Sequence, residues 1–188
     1  MTTCTVVQPT LETLPGYKDA LERGWSPDNI GKEKTARLHL ARIDEDPAAF
    51  VAALHDPEAR GEPITLPDGS KRPRLPGMFL WVWDNAFCGS FSLRWQSGTS
   101  ELPDYCLGHI GYSIVPWKRR RGYATAALAL VLQEARRRGL EHVQLTADAE
   151  NLPSQKVILA NGGRLLGPRA QHAAYGEMNE LLFRIDLL

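Results

Sequence analysis

The sequence predicts a single α/β domain, of the α+β kind in which helices and strands share one core. Two observations lead to this class. A glycine-containing turn joins an apolar strand to an amphipathic helix within residues 107–139, and two apolar runs within 78–95 have the pattern of a β-hairpin. The length of 188 residues and the hydrophobic content of 43% are typical of one globular domain with its own core.

The first third of the chain is predicted to be mainly helical. After a short strand at 5–8, the apolar spacing of residues 14–23 indicates a helix. A second helical region covers residues 32–59. We expect Asp46 and Pro47 to divide it, because aspartate caps a helix start and proline is tolerated in a first turn.

The middle of the chain is predicted to be β-structure. Residues 61–77 are rich in proline and glycine, which indicates a loop or the tip of a hairpin. The apolar runs at 78–83 and 87–95 follow, separated by three residues, and predict a β-hairpin with buried faces. Residues 96–104 are polar and predict a loop that leads into the next strand.

The strand–turn–helix unit is the most informative part of the chain. Its strand, 107–115, stops at Pro116, which cannot donate a hydrogen bond to a neighbouring strand. Three arginines and then Gly139 indicate where the helix ends. The helix itself is predicted from a stripe of small and apolar residues, Ala124, Ala127, Leu128, Val131, Leu132 and Ala135.

The turn before this helix has the features of an anion site. The first N–H groups of a helix have no intrahelical partner and carry partial positive charge, so they can bind phosphate. Gly122 has no Cβ to keep a phosphate away, and Lys118 and the three arginines after it add positive charge. Taken alone, such a basic run is also typical of a solvated surface or of a nucleic-acid patch.

A second strand–helix pair follows at residues 142–163. Residues 142–147 predict a buried strand, Asn151 is a good N-cap, and Asn161 with Gly162 indicates a helix end. Asn151 on its own is explained by the helix cap.

The order of these motifs resembles one enzyme family. Arg119-x-x-Gly122-x-Ala124, between a strand and a helix, resembles the acyl-CoA pyrophosphate loop of the GNAT superfamily of N-acetyltransferases. The segment from Asn151 to Ser154 is similar to that family's Asn-x-x-Ala/Ser segment. The core resemblance covers about residues 78–188. A weaker resemblance, to a little-studied branch usually described only as predicted acetyltransferases, extends over most of the chain.

The resemblance implies a GNAT fold with a mixed, mostly antiparallel central sheet of about six to seven strands flanked by about four helices. It implies one domain over 1–188, in which 1–77 forms the acceptor side and 78–188 binds acetyl-CoA, and no metal is implied. The residues expected to contact acetyl-CoA are Ser113, Ile114, Val115, Arg119, Arg120, Arg121, Gly122, Tyr123, Ala124, Thr125, Asn151 and Ser154.

The catalytic residues are harder to assign, because the sequence departs from the family here. Many members carry a tyrosine seven residues after the asparagine, which protonates the thiolate of CoA, and this chain has Ile158 there. For the general base, His109 is the first candidate and Glu22 the second. Tyr175 is the candidate acid. Each has an alternative interpretation, respectively a structural histidine, a surface glutamate and an ordinary loop aromatic.

Composition restricts the partners. The 22 basic and 22 acidic residues balance, so a globally basic nucleic-acid binder is not indicated. The three cysteines are widely spaced and suggest neither disulfides nor zinc. We expect no signal peptide, no membrane contact, a cytoplasmic location, and a monomer or homodimer.

Three functions follow from the sequence. The first is an acetyl-CoA-dependent N-acetyltransferase that acts on a primary amine of an unidentified small molecule or peptide. The second is a GNAT-like domain that binds acyl-CoA as a sensor without turnover. The third is a nucleic-acid module that uses the basic turn.

Overall fold

The computed structural model describes residues 3–187, and residues 3–54 form one strand and three helices. The predicted division of residues 32–59 is confirmed, because the side chain of Asp46 accepts a hydrogen bond from the N–H of Ala49 and caps the third helix. The elements are β1 (Thr5–Val7), α1 (Leu14–Glu22), α2 (Lys32–Glu45) and α3 (Pro47–Ala53).

Five strands follow in the middle of the chain. They are β2 (His55–Asp56), β3 (Ile64–Thr65), β4 (Lys71–Arg72), β5 (Gly77–Trp83) and β6 (Phe87–Arg94). Strands β3 and β4 pair as a small hairpin within the segment that is rich in proline and glycine. Strands β5 and β6 pair antiparallel, which confirms the hairpin predicted for this region.

The rest of the chain alternates strands and helices. The strand predicted at 107–115 is shorter in the structure, and Gly139 has the left-handed backbone of a helix end, with φ of 79°. The elements are β7 (Ile110–Ile114), α4 (Tyr123–Arg137), β8 (His142–Asp148), α5 (Leu152–Ala160), β9 (Arg164–Pro168) and β10 (Glu180–Asp186).

The central β-structure is divided into two sheets. One has the order β1-β5-β6-β7, with β2 also paired to β5, and the other has the order β8-β10-β9. All of their ladders are antiparallel. Including β3 and β4, the described residues form ten strands and five α-helices, close to the predicted mixed and mostly antiparallel architecture.

Helices cover both faces of the larger sheet, which explains why β5 and β6 are apolar along most of their length. Helix α4 packs on one face through residues that include Leu128 and Val131, both fully buried. Helices α1 to α3 pack on the other face, which we call the front face. There Tyr17 stacks on Trp81, with ring centroids 4.7 Å apart.

Candidate functional site

The two sheets separate between β7 and β8. Near their N-terminal ends the two strands are joined by a hydrogen bond, because the N–H of His109 donates to the carbonyl oxygen of Gln144 at 2.8 Å. From Ile110 onward, no ladder joins β7 to β8 within residues 3–187. The strands therefore enclose an open gap towards their C-terminal ends, which we call the strand gap.

His109 ends the pairing with its side chain. Its Nδ1 accepts the N–H of Gln144 at 2.9 Å, in place of a backbone carbonyl. Because Nδ1 is an acceptor, the ring is neutral and its proton lies on Nε2. The ring is fully buried, and burial lowers its pKa to about 4. This placement favours the structural interpretation of His109, because a general base must reach the proton it removes.

The burial of His109 predicts a loss of stability in acid. Protonation would turn Nδ1 from an acceptor into a donor facing another donor. Because the folded pKa is about 4 and the ordinary value is 6.5, the stabilisation is complete above pH 6.5 and is lost as pH falls towards 4. We expect this residue to contribute on the order of 3 kcal/mol to that change.

The measurement is urea unfolding between pH 4 and 7 for the wild type and for His109→Asn, whose amide oxygen can accept the same N–H without titrating. We expect a shallower pH dependence in the variant and little change in enzymatic activity. Equal slopes would contradict the neutral buried ring, and a variant that loses turnover while still binding acetyl-CoA would favour His109 as a catalytic residue.

Backbone amides line the β7 side of the strand gap. The N–H of Val115 donates to Cys88 on β6 at 3.0 Å, so it has no proton left for a ligand, contrary to the role expected for Val115. The N–H of Ser113, two residues before Val115, also points towards β6 in the antiparallel ladder. The N–H groups of the residues that alternate with them point away from β6. The ladder therefore turns the N–H groups of Tyr112 and Ile114 towards the gap.

Side chains already cover the carbonyls on this edge. Asn29, in the connection between α1 and α2, donates from Nδ2 to the oxygen of Tyr112 at 3.2 Å. Arg119 donates from Nε to the oxygen of Ile114 at 2.9 Å. The Asn29 contact places the α1–α2 connection beside the strand gap. The Arg119 contact places the basic turn at the C-terminal end of the gap.

The basic turn leaves backbone donors available. A short 3₁₀ turn, Pro116–Lys118, leads into it. Gly122 has a left-handed backbone with φ of 83°, a conformation that is strained for residues with a side chain. In the described part of the chain, the N–H groups of residues 122–125 find no acceptor, and Gly122 is exposed. These donors at the start of α4 are the anion site that the sequence predicts, with Tyr123, Ala124 and Thr125 as its helical part.

A partly buried ion pair fixes the base of this turn. The Nζ of Lys118 lies 2.5 Å from Oδ1 and 2.7 Å from Oδ2 of Asp84, and the hydroxyl of Tyr123 donates to the same carboxylate. Hydrogen bonds from these two side chains outweigh burial and hold the pKa of Asp84 below its ordinary value. Tyr123 and Lys118 therefore position the turn rather than face a ligand with their polar ends.

The second predicted contact lies at the start of α5. Asn151 caps the helix, because its Oδ1 accepts the N–H of Ser154 at 3.2 Å. The hydroxyl of Ser154 lies 2.7 Å from that of Tyr112 on β7. Ile158 is fully buried in the core with α4. A hydroxyl pair from Tyr112 and Ser154 thus lies one helical turn from the position where many family members have a tyrosine.

Glu180 is a candidate that sequence reasoning missed. It begins β10 opposite Asp148, the last residue of β8, on the strand face that also carries Thr146. The neighbouring residues Leu145 and Ala147 point to the α4 core, so Glu180 is on the opposite face. Its Oε2 is buried and has no hydrogen-bond partner in residues 3–187. Burial raises the pKa of Glu180.

The other predicted catalytic residues lie apart. Glu22 is exposed on α1, where its carboxylate is 4.0 Å from the Nζ of Lys18. Tyr175 is half-buried in the β9–β10 connection and donates its hydroxyl to the carbonyl of Tyr105 at 2.9 Å. Tyr175 shares a neighbourhood with Glu180, and no contact in the described part of the chain brings Glu22 to them.

Comparison with known families identifies the fold. Residues 37–164 match the family model described as an acetyltransferase (GNAT) domain, which is more than half of the chain. The protein belongs to the GNAT acetyltransferases. No curated protein matches this GNAT chain. Within residues 3–187, no helix is long and apolar enough to cross a membrane, and no group of three or more His, Cys, Asp or Glu residues could hold a metal ion.

Solved structures share this GNAT fold at low sequence identity. Mycobacterium smegmatis RimJ in complex with CoA-disulfide has a TM-score of 0.64 and 18% identity, over 97% of this chain and 81% of that one. The microcin C7 self-immunity acetyltransferase MccE, in complex with acetyl-CoA and AMP, has a TM-score of 0.58 and 12% identity, over 99% of this chain and 93% of that one. RimL, a ribosomal L7/L12 α-N-protein acetyltransferase, has a TM-score of 0.57 and 11% identity, over 100% of this chain and 95% of that one.

Proposed function

We propose that this GNAT protein transfers the acetyl group of acetyl-CoA directly to a primary amine of a small molecule or peptide. The observation that carries the proposal is the strand gap, which opens beside a helix start with unpaired N–H groups. Arg119 joins the two, since it lies in the turn and binds the carbonyl of Ile114 at the gap. The neighbours RimJ and MccE, which bind CoA-disulfide and acetyl-CoA, support the same ligand here.

The residues present suit an elongated anionic ligand. The N–H groups of residues 122–125 and the arginines of the turn would hold the pyrophosphate, as expected from the resemblance. The N–H groups of Tyr112 and Ile114 offer donors to amides and to the acyl carbonyl in the gap. Asn151 and Ser154, across the gap at the start of α5, would border the arm of the ligand. Acetyl-CoA supplies a thioester, which an amine can attack without a covalent enzyme adduct.

We propose that Glu180 accepts the proton that the amine must lose. An alkylammonium ion is not a nucleophile, so a nearby base is needed. Glu180 lies at the open end of the gap on the front face, and its raised pKa brings it closer to neutral pH, where a carboxylate is a better base. The candidates from sequence, His109 and Glu22, lack this position, because the first is sealed in the sheet and the second points to solvent.

The proton for the departing thiolate has two possible sources in this chain. The hydroxyl pair of Tyr112 and Ser154 is the candidate within the gap, and Tyr175 is the candidate named from sequence. A thiol has an ordinary pKa of about 8.5, so its anion is also tolerable as a leaving group without an acid. We therefore assign the hydroxyl pair to positioning at the gap and make no step depend on an acid.

Two measurements test the proposed function. Acetyl-CoA at about 100 times its Kd should raise Tm by roughly 5–10 °C, and a panel of primary amines should release free CoA. Stabilisation without turnover on any amine would favour the sensor alternative. A protein that ignores acetyl-CoA but binds DNA or RNA in a salt-dependent way would contradict both.

A further inference from the structure

Arg94 is a half-buried cation without a carboxylate partner in the described part of the chain. It ends β6, and its Nη2 donates to the hydroxyl of Ser92 at 2.9 Å. Among residues 3–187, no Asp or Glu oxygen lies within 4.0 Å of its guanidinium. A guanidinium has five N–H donors, and taking it out of water is costly unless an anion or acceptors compensate.

Arg94 faces the side from which an acceptor would approach. It lies on the same strand face as Ser92, which is the front face, because the alternating residues Phe91 and Leu93 enter the α4 core. A Cβ on Gly111, in β7, would come within 3.6 Å of Nη2 and 3.1 Å of the Ser92 hydroxyl. Gly111 therefore leaves this part of β7 open next to the guanidinium.

Glu180 lies on the same side of the molecule, and Tyr175 connects the two regions. Burial raises the pKa of Tyr175 most, and the charges of Arg169 and Arg94 lower it while that of Glu180 raises it. The hydroxyl of Tyr175, which donates to the carbonyl of Tyr105, is thus affected by the charges of both Arg94 and Glu180. Arg94 and Glu180 form no ion pair with each other within the described residues.

We infer that the acceptor is a small amine that also carries a carboxylate, with its carboxylate on Arg94 and its amine on Glu180. The inference rests on the proposed function and deepens it. A zwitterionic amino acid matches the two separated charges: one end compensates the half-buried guanidinium, and the other presents nitrogen to the carboxylate that removes its proton. An α-amino acid and a longer ω-amino acid share this chemistry and differ in reach. A protein N-terminus has the amine without the adjacent carboxylate.

The arginine fork makes this recognition selective. A guanidinium binds a carboxylate through two parallel charge-assisted hydrogen bonds, whereas a carboxamide offers one neutral oxygen. Losing such contacts weakens binding by roughly 10- to 100-fold. The carboxamide of each amino acid is therefore a matched control that keeps the amine and removes only the negative charge.

The test compares a panel of α- and ω-amino acids with their carboxamides, using the wild type, Arg94→Gln and Arg94→Lys. Binding is measured by calorimetry in the presence of CoA, and turnover is followed by release of free CoA from acetyl-CoA. Arg184→Gln serves as a control for loss of a charge, because Arg184 pairs with Asp186 on the C-terminal strand. Acetyl-CoA affinity reports that each variant is folded.

We expect at least one amino acid to bind the wild type roughly 10- to 100-fold more tightly than its carboxamide. Arg94→Gln should abolish this preference, chiefly through KM, Arg94→Lys should keep part of it, and Arg184→Gln should keep all of it. Three results would overturn the inference: equal binding of acids and carboxamides, preference for a peptide N-terminus, or a carboxylate preference that survives Arg94→Gln. In each case, turnover on amines would still uphold the proposed function. Carboxylate-selective binding without any CoA release would contradict the proposed acetyltransferase activity and would leave Arg94 as a residue that binds carboxylates.

Discussion

Replacement of Gly122 with glutamate is expected to abolish the binding of acetyl-CoA while leaving the protein folded. The side chain would bring bulk and negative charge to the start of α4, where four N–H groups lack acceptors in the described part of the chain. The left-handed backbone, with φ of 83°, would cost about 1–2 kcal/mol for any L residue with a side chain. Isothermal calorimetry with acetyl-CoA and thermal unfolding measure the two effects.

Gly69→Glu is the matched control for this variant. Gly69 has the same φ of 83° and lies exposed at the tip of the β3–β4 hairpin, where a Cβ would meet no other group within 4 Å among the described residues. It should lose similar stability and keep full affinity for acetyl-CoA. If both variants bound acetyl-CoA equally well, the turn at Arg119 to Ala124 would not be the pyrophosphate site.

Replacement of Glu180 with glutamine is expected to lower kcat by about 10²–10⁴-fold, because glutamine cannot accept the proton of the amine. Affinity for acetyl-CoA should remain, since this side chain lies at the acceptor end of the gap. The wild-type rate should rise with pH as Glu180 loses its proton, at a pH above the ordinary glutamate value of 4.5, because burial raises this pKa. The variant should lose that rise.

Glu177→Gln provides the comparison, because Glu177 is an exposed glutamate in the β9–β10 connection, three residues before Glu180. Steady-state kinetics with one acceptor across pH 5–9 would be measured for all three proteins. An unchanged pH–rate profile in Glu180→Gln would remove Glu180 as the base. A fall in kcat shared by Glu177→Gln would show that the effect is a general one of the loop.

Local sequence patterns predicted those features that depend on neighbours along the chain. The strand, basic turn and helix from 107 to 139 follow from periodicity, from Pro116 and from Gly139, and all three are present, although the strand is shorter than predicted. The cap at Asn151 and the division at Asp46 are equally local, because a side chain bonds an N–H three residues on. The family follows from the order of these elements.

Contacts distant in sequence were not predictable in this way. Arg94 is the one charged residue of β6, and Glu180 is one of three in β10. Only the register of two different sheets places them on one side of the molecule. The role of His109 depends on a bond to Gln144, 35 positions away. From sequence, His109 is a candidate base because an imidazole titrates near neutral pH. In the structure, its Nδ1 instead replaces a backbone carbonyl as the acceptor of the Gln144 N–H.

The ion pair of Asp84 with Lys118 has a consequence for how a ligand is received. Asp84 belongs to the turn between β5 and β6, and it holds both ends of the basic turn through Lys118 and Tyr123. The turn is therefore preorganised. When a nucleotide binds it, the protein loses little conformational entropy, because this part of the chain is already ordered. Selectivity can then reside at the acceptor end, which includes the longer connection between α1 and α2.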